Sequence, residues 1–174
     1  MLRKGILRLC ALLFMEMFLW GFSQGVAAEE VYTIPPSNFV AKMTVSGCFC
    51  TKEGKCLVLL RGDGRSSSNT WCLPARAIGR KESPIAAAVR ELHDDLGLDC
   101  LQEELQLFRK FYVRLPEKDF ELYLFAVPWP RDMEVHLEGK DHIDYAWVSL
   151  EEALTLPLIP GAEVYFRLLF AKHL

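Results

Sequence analysis

Three carboxylates in one short stretch of the chain have a spacing that suits chemistry with divalent cations. Glu91, Asp94 and Asp95 stand at positions i, i+3 and i+4, so on a helix they share one face and can reach one site. Hard oxygen ligands of this kind suit Mg²⁺ or Mn²⁺, which also bind phosphate oxygens. The spacing therefore predicts a metal site for phosphate chemistry. The alternative interpretation is a solvated acidic face on an ordinary amphipathic helix.

The residues around these carboxylates predict the helix that positions them. Ser83 is a good N-cap and Pro84 suits the first helical position, while Gly97 is a good C-cap. Glu82 lies just before the helix start and could add a fourth oxygen ligand. Arg90 lies beside Glu91 and can orient a carboxylate through a bidentate pair.

Residues 76–98 resemble the Nudix box of the MutT-like Nudix hydrolase family, G-x5-E-x7-R-E-U-x-E-E-x-G-U with U a bulky apolar residue. Asp94 and Asp95 replace the two later glutamates and keep their charge on a shorter arm. The segments 71–74, 82–84 and 144–152 resemble other parts of the family pattern, so the resemblance spans about residues 40–155. The positions that match the box outright are Glu82, Arg90, Glu91, Leu92, Gly97 and Leu98.

The resemblance implies a divalent-metal-dependent hydrolase that cleaves a diphosphate linkage in a nucleoside diphosphate linked to another group X. It implies that Glu91, Asp94 and Asp95 bind Mg²⁺ or Mn²⁺, with Glu82 as a ligand or an outer-sphere support. Arg90 would orient these carboxylates without touching substrate.

Two residues are candidates for the general base. Glu91 has that role in some members of the family, whereas others use an acid in the loop before the late tryptophan. Asp141, six residues before Trp147, is therefore the second candidate, with His142 behind it. The alternative for both is a polar surface-loop residue, which we favour for His142.

One position departs from the family pattern. Arg76 stands where the box has its first glycine, and Ala75 where another glycine usually precedes it. An arginine there could crowd the metal site, or it could bind a substrate phosphate, since guanidinium groups fit phosphate oxygens. The departure keeps a second function open, namely a non-catalytic Nudix-fold module that binds a nucleotide or a partner.

The order of predicted elements indicates an α/β or α+β fold with a mixed sheet between helices, the Nudix-type α/β/α sandwich with its loop-helix-loop. Residues 40–174 form the predicted domain, and residues 29–39, rich in proline, form an extended lead-in. Strands are predicted at 40–50, 56–61, 105–113, 120–127 and 143–148. A terminal helix is predicted at 163–173, with Val164, Leu168 and Ala171 facing inward.

Residues 1–28 are typical of a secretory signal or an uncleaved N-terminal anchor, with a basic start, an apolar run and small residues before Glu29. We therefore expect a periplasmic or secreted protein. If translation begins at an internal methionine, the location would be cytoplasmic. Membrane contact is expected only if this segment is uncleaved.

The composition limits the other partners. The chain has 174 residues and a formal net charge of −3, which gives no support for binding a nucleic-acid polymer and leaves a small phosphoanhydride substrate as the expected partner. Cys50 and Cys56 flank a predicted turn and could face each other. We instead favour buried thiols for the five cysteines after residue 28. No pattern indicates an oligomeric state.

Overall fold

The computed structural model describes residues 30–64 and 66–171 of the chain. The helices are α1 (Pro84–Leu96), α2 (Leu150–Thr155) and α3 (Ala162–Ala171). The strands are β1 (Glu30–Tyr32), β2 (Ala41–Lys52), β3 (Lys55–Arg61), β4 (Trp71–Cys72), β5 (Ala75–Ala77), β6 (Gln106–Leu115), β7 (Lys118–Pro128) and β8 (His142–Val148).

The strands form one mixed sheet. Its main order is β1-β6-β7-β2-β3-β4, while β5 pairs with β2 and β8 pairs with β3. The central strands β2 and β7 run parallel, and the other pairs of named strands run antiparallel. All five predicted strands are present within a few residues of their predicted bounds.

Successive side chains of β2 and β3 point alternately into two cores, one on each face of the sheet. Cys48 and Leu59 pack with Leu92 of α1 on one face. Phe49 and Val58 pack with Phe166 of α3 on the other. Helices therefore cover both faces of the mixed sheet, which confirms the predicted α/β/α sandwich.

The predicted inward face of the terminal helix was wrong for two of its three residues. The buried residues of α3 are Ala162, Tyr165, Phe166 and Leu169, whereas Leu168 and Ala171 are exposed. The helix begins at Ala162, one residue before the predicted start. Its large aromatic residues turn the apolar face toward Phe111 and Val113 of β6.

Cys50 and Cys56, which could have faced each other across the predicted turn, do not do so. The hairpin pairs Thr51 with Cys56, so the two cysteines lie on opposite faces of the sheet. Cys48, Cys50, Cys56 and Cys72 are buried free thiols, as expected, while Cys100 is half-buried.

The N-terminal predictions are only partly covered by the structure. The predicted signal or anchor at residues 1–28 lies outside the described residues. Within the predicted lead-in, Glu30–Tyr32 forms β1 and pairs with β6, so this part of the segment belongs to the sheet. No helix in the described part of the chain is long and apolar enough to cross a membrane.

Candidate active site

Helix α1 is fixed at both ends by local contacts. The Ser83 Oγ accepts a hydrogen bond from the Ala86 N–H at 3.2 Å, and Gly97 adopts a φ of 67° at the C-cap. A left-handed conformation of this kind favours glycine. The helix thereby presents Glu91, Asp94 and Asp95, the carboxylate cluster, toward strand β5.

The short strand β5 brings Arg76 to the carboxylate cluster. Arg76 lies opposite Ser46 of β2 in the sheet. The Ser46 Oγ donates a 2.7 Å hydrogen bond to the Pro84 carbonyl at the start of α1. Since paired residues of antiparallel strands share a face, Arg76 extends from the face on which α1 packs.

Each nitrogen of the Arg76 guanidinium contacts a different carboxylate of the cluster. Its Nε donates to Glu91 Oε2 at 2.7 Å, and its Nη1 donates to Asp94 Oδ2 at 3.3 Å. Its Nη2 donates to Asp95 Oδ1. One positive charge therefore lies among three negative ones, and the cluster keeps a net negative charge.

Glu91 is the least solvated member of the cluster. Its side chain is 1% exposed, and its Oε1 is buried with no hydrogen-bond partner. Burial, reinforced by the nearby Asp95 carboxylate and opposed by Arg76, raises the pKa of Glu91. A buried carboxylate oxygen without a partner is costly, so this atom is a ready donor for a cation.

Glu82 and Arg90 form a separate closed pair at the helix start. The Arg90 Nε and Nη2 donate to the two Glu82 oxygens, each at 2.8 Å. The Gly79 N–H donates to Glu82 Oε2 at 2.7 Å. Hydrogen bonds from Arg90, and then from Gly79, lower the pKa of Glu82 to about 2. Both Glu82 oxygens are therefore engaged, which favours its supporting role over direct ligation.

The expectation that His142 is a surface-loop residue was wrong. The side chain is buried, and its Nδ1 lies 3.5 Å from Asp95 Oδ2. Its Nε2 lies 3.9 Å from the Cys72 sulfur. Burial lowers the pKa of His142, but the contacts with Asp95 and then Cys72 outweigh burial and raise this pKa to about 9. For Asp95 itself burial acts upward, but His142 and Arg76 outweigh it and lower the pKa.

A bulge explains why His142 reaches the carboxylate cluster. In the pairing of β8 with β3, Asp144 lies opposite Leu60 while His142 lies opposite Arg61. The extra residue, Ile143, reverses the alternation of side chains at this point. His142 therefore lies on the same face of the sheet as Arg61. The position of His142 beside Asp141 was the only sign in the sequence that His142 could belong to the site. The face of the sheet on which its side chain lies depends on the bulge.

A cavity of about 570 Å³ opens beside the carboxylate cluster. Arg76, Glu91, Asp95, Asp141 and His142 line it together with Arg61 and Lys118, and its remaining walls include apolar residues of β2, β6 and β7. The structure therefore brings both candidate bases, Glu91 and Asp141, to one cavity. Asp94 is more exposed, at 42%, and contacts Arg76 from outside.

The carboxylate cluster suits a divalent cation by its chemistry. Among the described residues, no group of three or more His, Cys, Asp and Glu side chains is arranged to hold a metal ion directly, and Arg76 contacts all three carboxylates of the cluster. The unpartnered Glu91 Oε1 and the excess negative charge nevertheless provide the hard, anionic oxygens that Mg²⁺ and Mn²⁺ prefer. The assigned ligand roles stay predictions.

A mixed sheet between helices, with clustered carboxylates on a helix that follows a charged loop, defines a Nudix-type domain. The family model described as the NUDIX domain matches residues 41–169, and the chain belongs to that family. A crystal structure of the MutT protein from Methanosarcina mazei Go1 superposes with a TM-score of 0.64 at 24% identity, covering 75% of this chain and 94% of that one.

Curated relatives show the same family with differing overlap. Nudix hydrolase 8 of Arabidopsis thaliana is 24% identical over 142 residues, which cover 81% of this chain and 38% of that protein. CTP pyrophosphohydrolase of Escherichia coli strain K12 is 28% identical over 115 residues, covering 63% of this chain and 78% of that protein. The chain thus spans well under half the length of the first relative.

Proposed function

We propose that the protein is a divalent-metal-dependent pyrophosphohydrolase that cleaves the diphosphate linkage of a nucleoside diphosphate-X substrate. The observation that carries this proposal is the buried Glu91 carboxylate, whose Oε1 has no hydrogen-bond partner and which lines the cavity together with Asp95. The kinship to a CTP pyrophosphohydrolase supports the same reaction class.

The side chains at the cavity have distinct roles in this reaction. Glu91, Asp94 and Asp95 would hold Mg²⁺ or Mn²⁺, which when bound neutralises charge on the phosphate oxygens. Glu91, or alternatively Asp141, accepts the proton of the attacking water, and both line the cavity. Arg76 faces the cavity and supplies a guanidinium for a phosphate oxygen.

Arg90 has an indirect role in this proposal. Its bidentate pair with Glu82 fixes the loop that leads from Arg76 into α1, because Glu82 also accepts from Gly79. A loop fixed at this point keeps the carboxylate cluster and Arg76 in register. Arg90 is therefore a positioning residue.

The test is hydrolysis by the full chain with Mg²⁺ or Mn²⁺ on nucleoside triphosphates, sugar nucleotides, dinucleoside polyphosphates and NADH. Glu91→Gln serves as the inactive variant and Asp99→Asn as the matched control, since Asp99 is an exposed carboxylate just beyond α1. Turnover in the wild type and in Asp99→Asn, but not in Glu91→Gln, is expected. Turnover that persists in Glu91→Gln would contradict the proposal.

A second candidate function is favoured by the Arg76 contacts. A guanidinium already engaged with all three carboxylates is compatible with a module that binds a nucleotide or a partner without hydrolysing it. Mn²⁺ binding that depends on Glu91, with no turnover of any compound in the panel, would support this function.

A further inference from the structure

We propose that Arg76 is an internal counter-cation, which occupies the carboxylate cluster in the free protein and transfers to a substrate phosphate when substrate binds. The inference rests on the proposed function, because it concerns the metal and substrate of the same site. It assigns to Arg76 a coupling between the binding of the metal ion and the binding of the phosphate.

Arg76 contacts the oxygens that a metal ion would need. Its three nitrogens engage Glu91, Asp94 and Asp95 separately, so it uses one oxygen of every carboxylate in the cluster. Any cation that takes these oxygens must compete with the guanidinium. Arg76 therefore weakens metal binding as long as it stays where it is.

The backbone of Arg76 is fixed, whereas its side chain is partly open to the cavity. Its backbone is held in β5 by pairing with β2, but its side chain is 31% exposed and lines the cavity. The guanidinium can therefore turn toward a ligand in the cavity through side-chain rotation alone. Each carboxylate of the cluster contacts only one nitrogen of the guanidinium, whereas a single phosphate can contact two of them in a bidentate pair.

Charge balance gives the transfer its direction. Arg76 contacts three carboxylates and His142 lies beside Asp95, so these carboxylates still outnumber the cationic groups around them. A divalent cation would neutralise the cluster better, and a phosphate would neutralise the released guanidinium. Phosphate and metal then promote each other's binding, and the linkage must be reciprocal.

Direct Mn²⁺ binding tests this inference without relying on turnover. The free Mn²⁺ signal in electron paramagnetic resonance gives the dissociation constant for the full-length wild type, Arg76→Gln and Arg76→Lys. Arg131→Gln is the matched control, because Arg131 is an exposed arginine outside the cavity and its replacement removes the same charge. Thermal unfolding of each variant verifies that it is folded.

We expect Arg76→Gln to bind Mn²⁺ about tenfold more tightly than the wild type, within the range of ordinary coupling energies. Arg76→Lys should fall between them, since an ammonium group cannot contact three carboxylates in the same way. Arg131→Gln should match the wild type. Equal or weaker Mn²⁺ binding in Arg76→Gln overturns the inference. If the glutamine variant does not fold, equal or weaker binding in Arg76→Lys overturns it instead.

Inorganic phosphate provides a second readout that a purely structural role would not change. Added phosphate should tighten Mn²⁺ binding more in the wild type than in Arg76→Gln, which experiences the same chelation in solution and therefore corrects for it. An equal effect of phosphate on both proteins overturns the transfer step.

These outcomes separate the inference from the proposed function. Wild-type turnover together with equal Mn²⁺ affinities overturns the counter-cation and leaves the hydrolase intact. The absence of both Mn²⁺ binding and turnover in every variant overturns both.

Discussion

Two arginines of the same motif bind carboxylates in different ways. Arg90 and Glu82 form a one-to-one pair, with two nitrogens on two oxygens. Arg76 instead spreads one guanidinium over Glu91, Asp94 and Asp95. The first pair is balanced in charge, whereas the second leaves a net negative charge.

The carboxyl groups of the two regions respond in opposite directions. The pKa of Glu82 is lowered to about 2 by its hydrogen bonds from Arg90 and Gly79. The pKa of Glu91 is raised, first by burial and then by Asp95. A closed pair of this kind fixes structure, while an under-neutralised buried carboxylate is prepared to bind something positive.

The largest expected effect comes from Glu91. Glu91→Gln removes the charge but keeps the shape and an oxygen for Arg76, so turnover should fall by about 1,000-fold, equivalent to about 4 kcal/mol. The Tm should stay equal or rise, because a poorly solvated charge is removed. Steady-state kinetics and thermal unfolding measure both quantities. A lower Tm with normal turnover would reverse the contrast between the two regions.

The closed pair should give a smaller loss. Arg90→Lys cannot bind both Glu82 oxygens in parallel, so turnover should fall by about 10- to 100-fold while Mn²⁺ affinity stays close to that of the wild type. Glu82→Gln should behave similarly. If Glu82→Gln instead abolishes Mn²⁺ binding, Glu82 is a direct ligand and the two regions act as one.

A finer perturbation is available at Gly79. A Cβ at this position would lie 2.9 Å from Glu82 Oε2, so Gly79→Ala must displace that carboxylate slightly without removing it. We expect turnover to fall by about threefold, in the low range for a change in a supporting contact. A loss as large as that of Glu82→Gln would show that the pair tolerates no displacement.

The smallest effect is expected at an ion pair that does not line the cavity. The Arg114 Nη2 lies 2.9 Å from Asp119 Oδ2, and hydrogen bonds from Arg114 lower the pKa of Asp119. Asp119→Asn should lower the Tm by about 2 °C or less and leave turnover unchanged.

The pH dependence of this Asp119 effect has a definite sign. Because the pKa is lower in the folded state, the stabilisation is complete above the unfolded value of about 4 and is lost as the pH falls through the folded value. The Tm difference between wild type and Asp119→Asn should therefore shrink on acidification. A difference that grows at low pH would contradict the pairing with Arg114.

Features set by neighbouring residues could be predicted from the sequence. Helix α1 follows from its Ser83 cap, Pro84 and Gly97, all of which act within one turn of the helix ends. The shared face of Glu91, Asp94 and Asp95 then follows from helical geometry alone. These signals needed no knowledge of the rest of the chain.

Features set by distant partners could not be predicted in this way. The segment Ala75–Ala77 has too little alternation to indicate a strand, and it becomes β5 only by pairing with β2. The burial of His142 depends on a bulge against β3. The contacts of Arg76 require both β5 and α1, so its charge was visible in the sequence while its partners were not.

The parallel pairing of β2 with β7 has a consequence for how the chain is made. Strand β2 obtains its neighbour on that side only from residues 118–128, which follow α1 in the chain. A ribosome-bound chain that has emerged as far as α1 already carries the whole motif, but the β2 edge still lacks this partner. Unpaired strand edges invite association with other chains, and pairing between distant segments slows folding. A chain with this open strand edge during synthesis therefore already contains every residue of the carboxylate cluster.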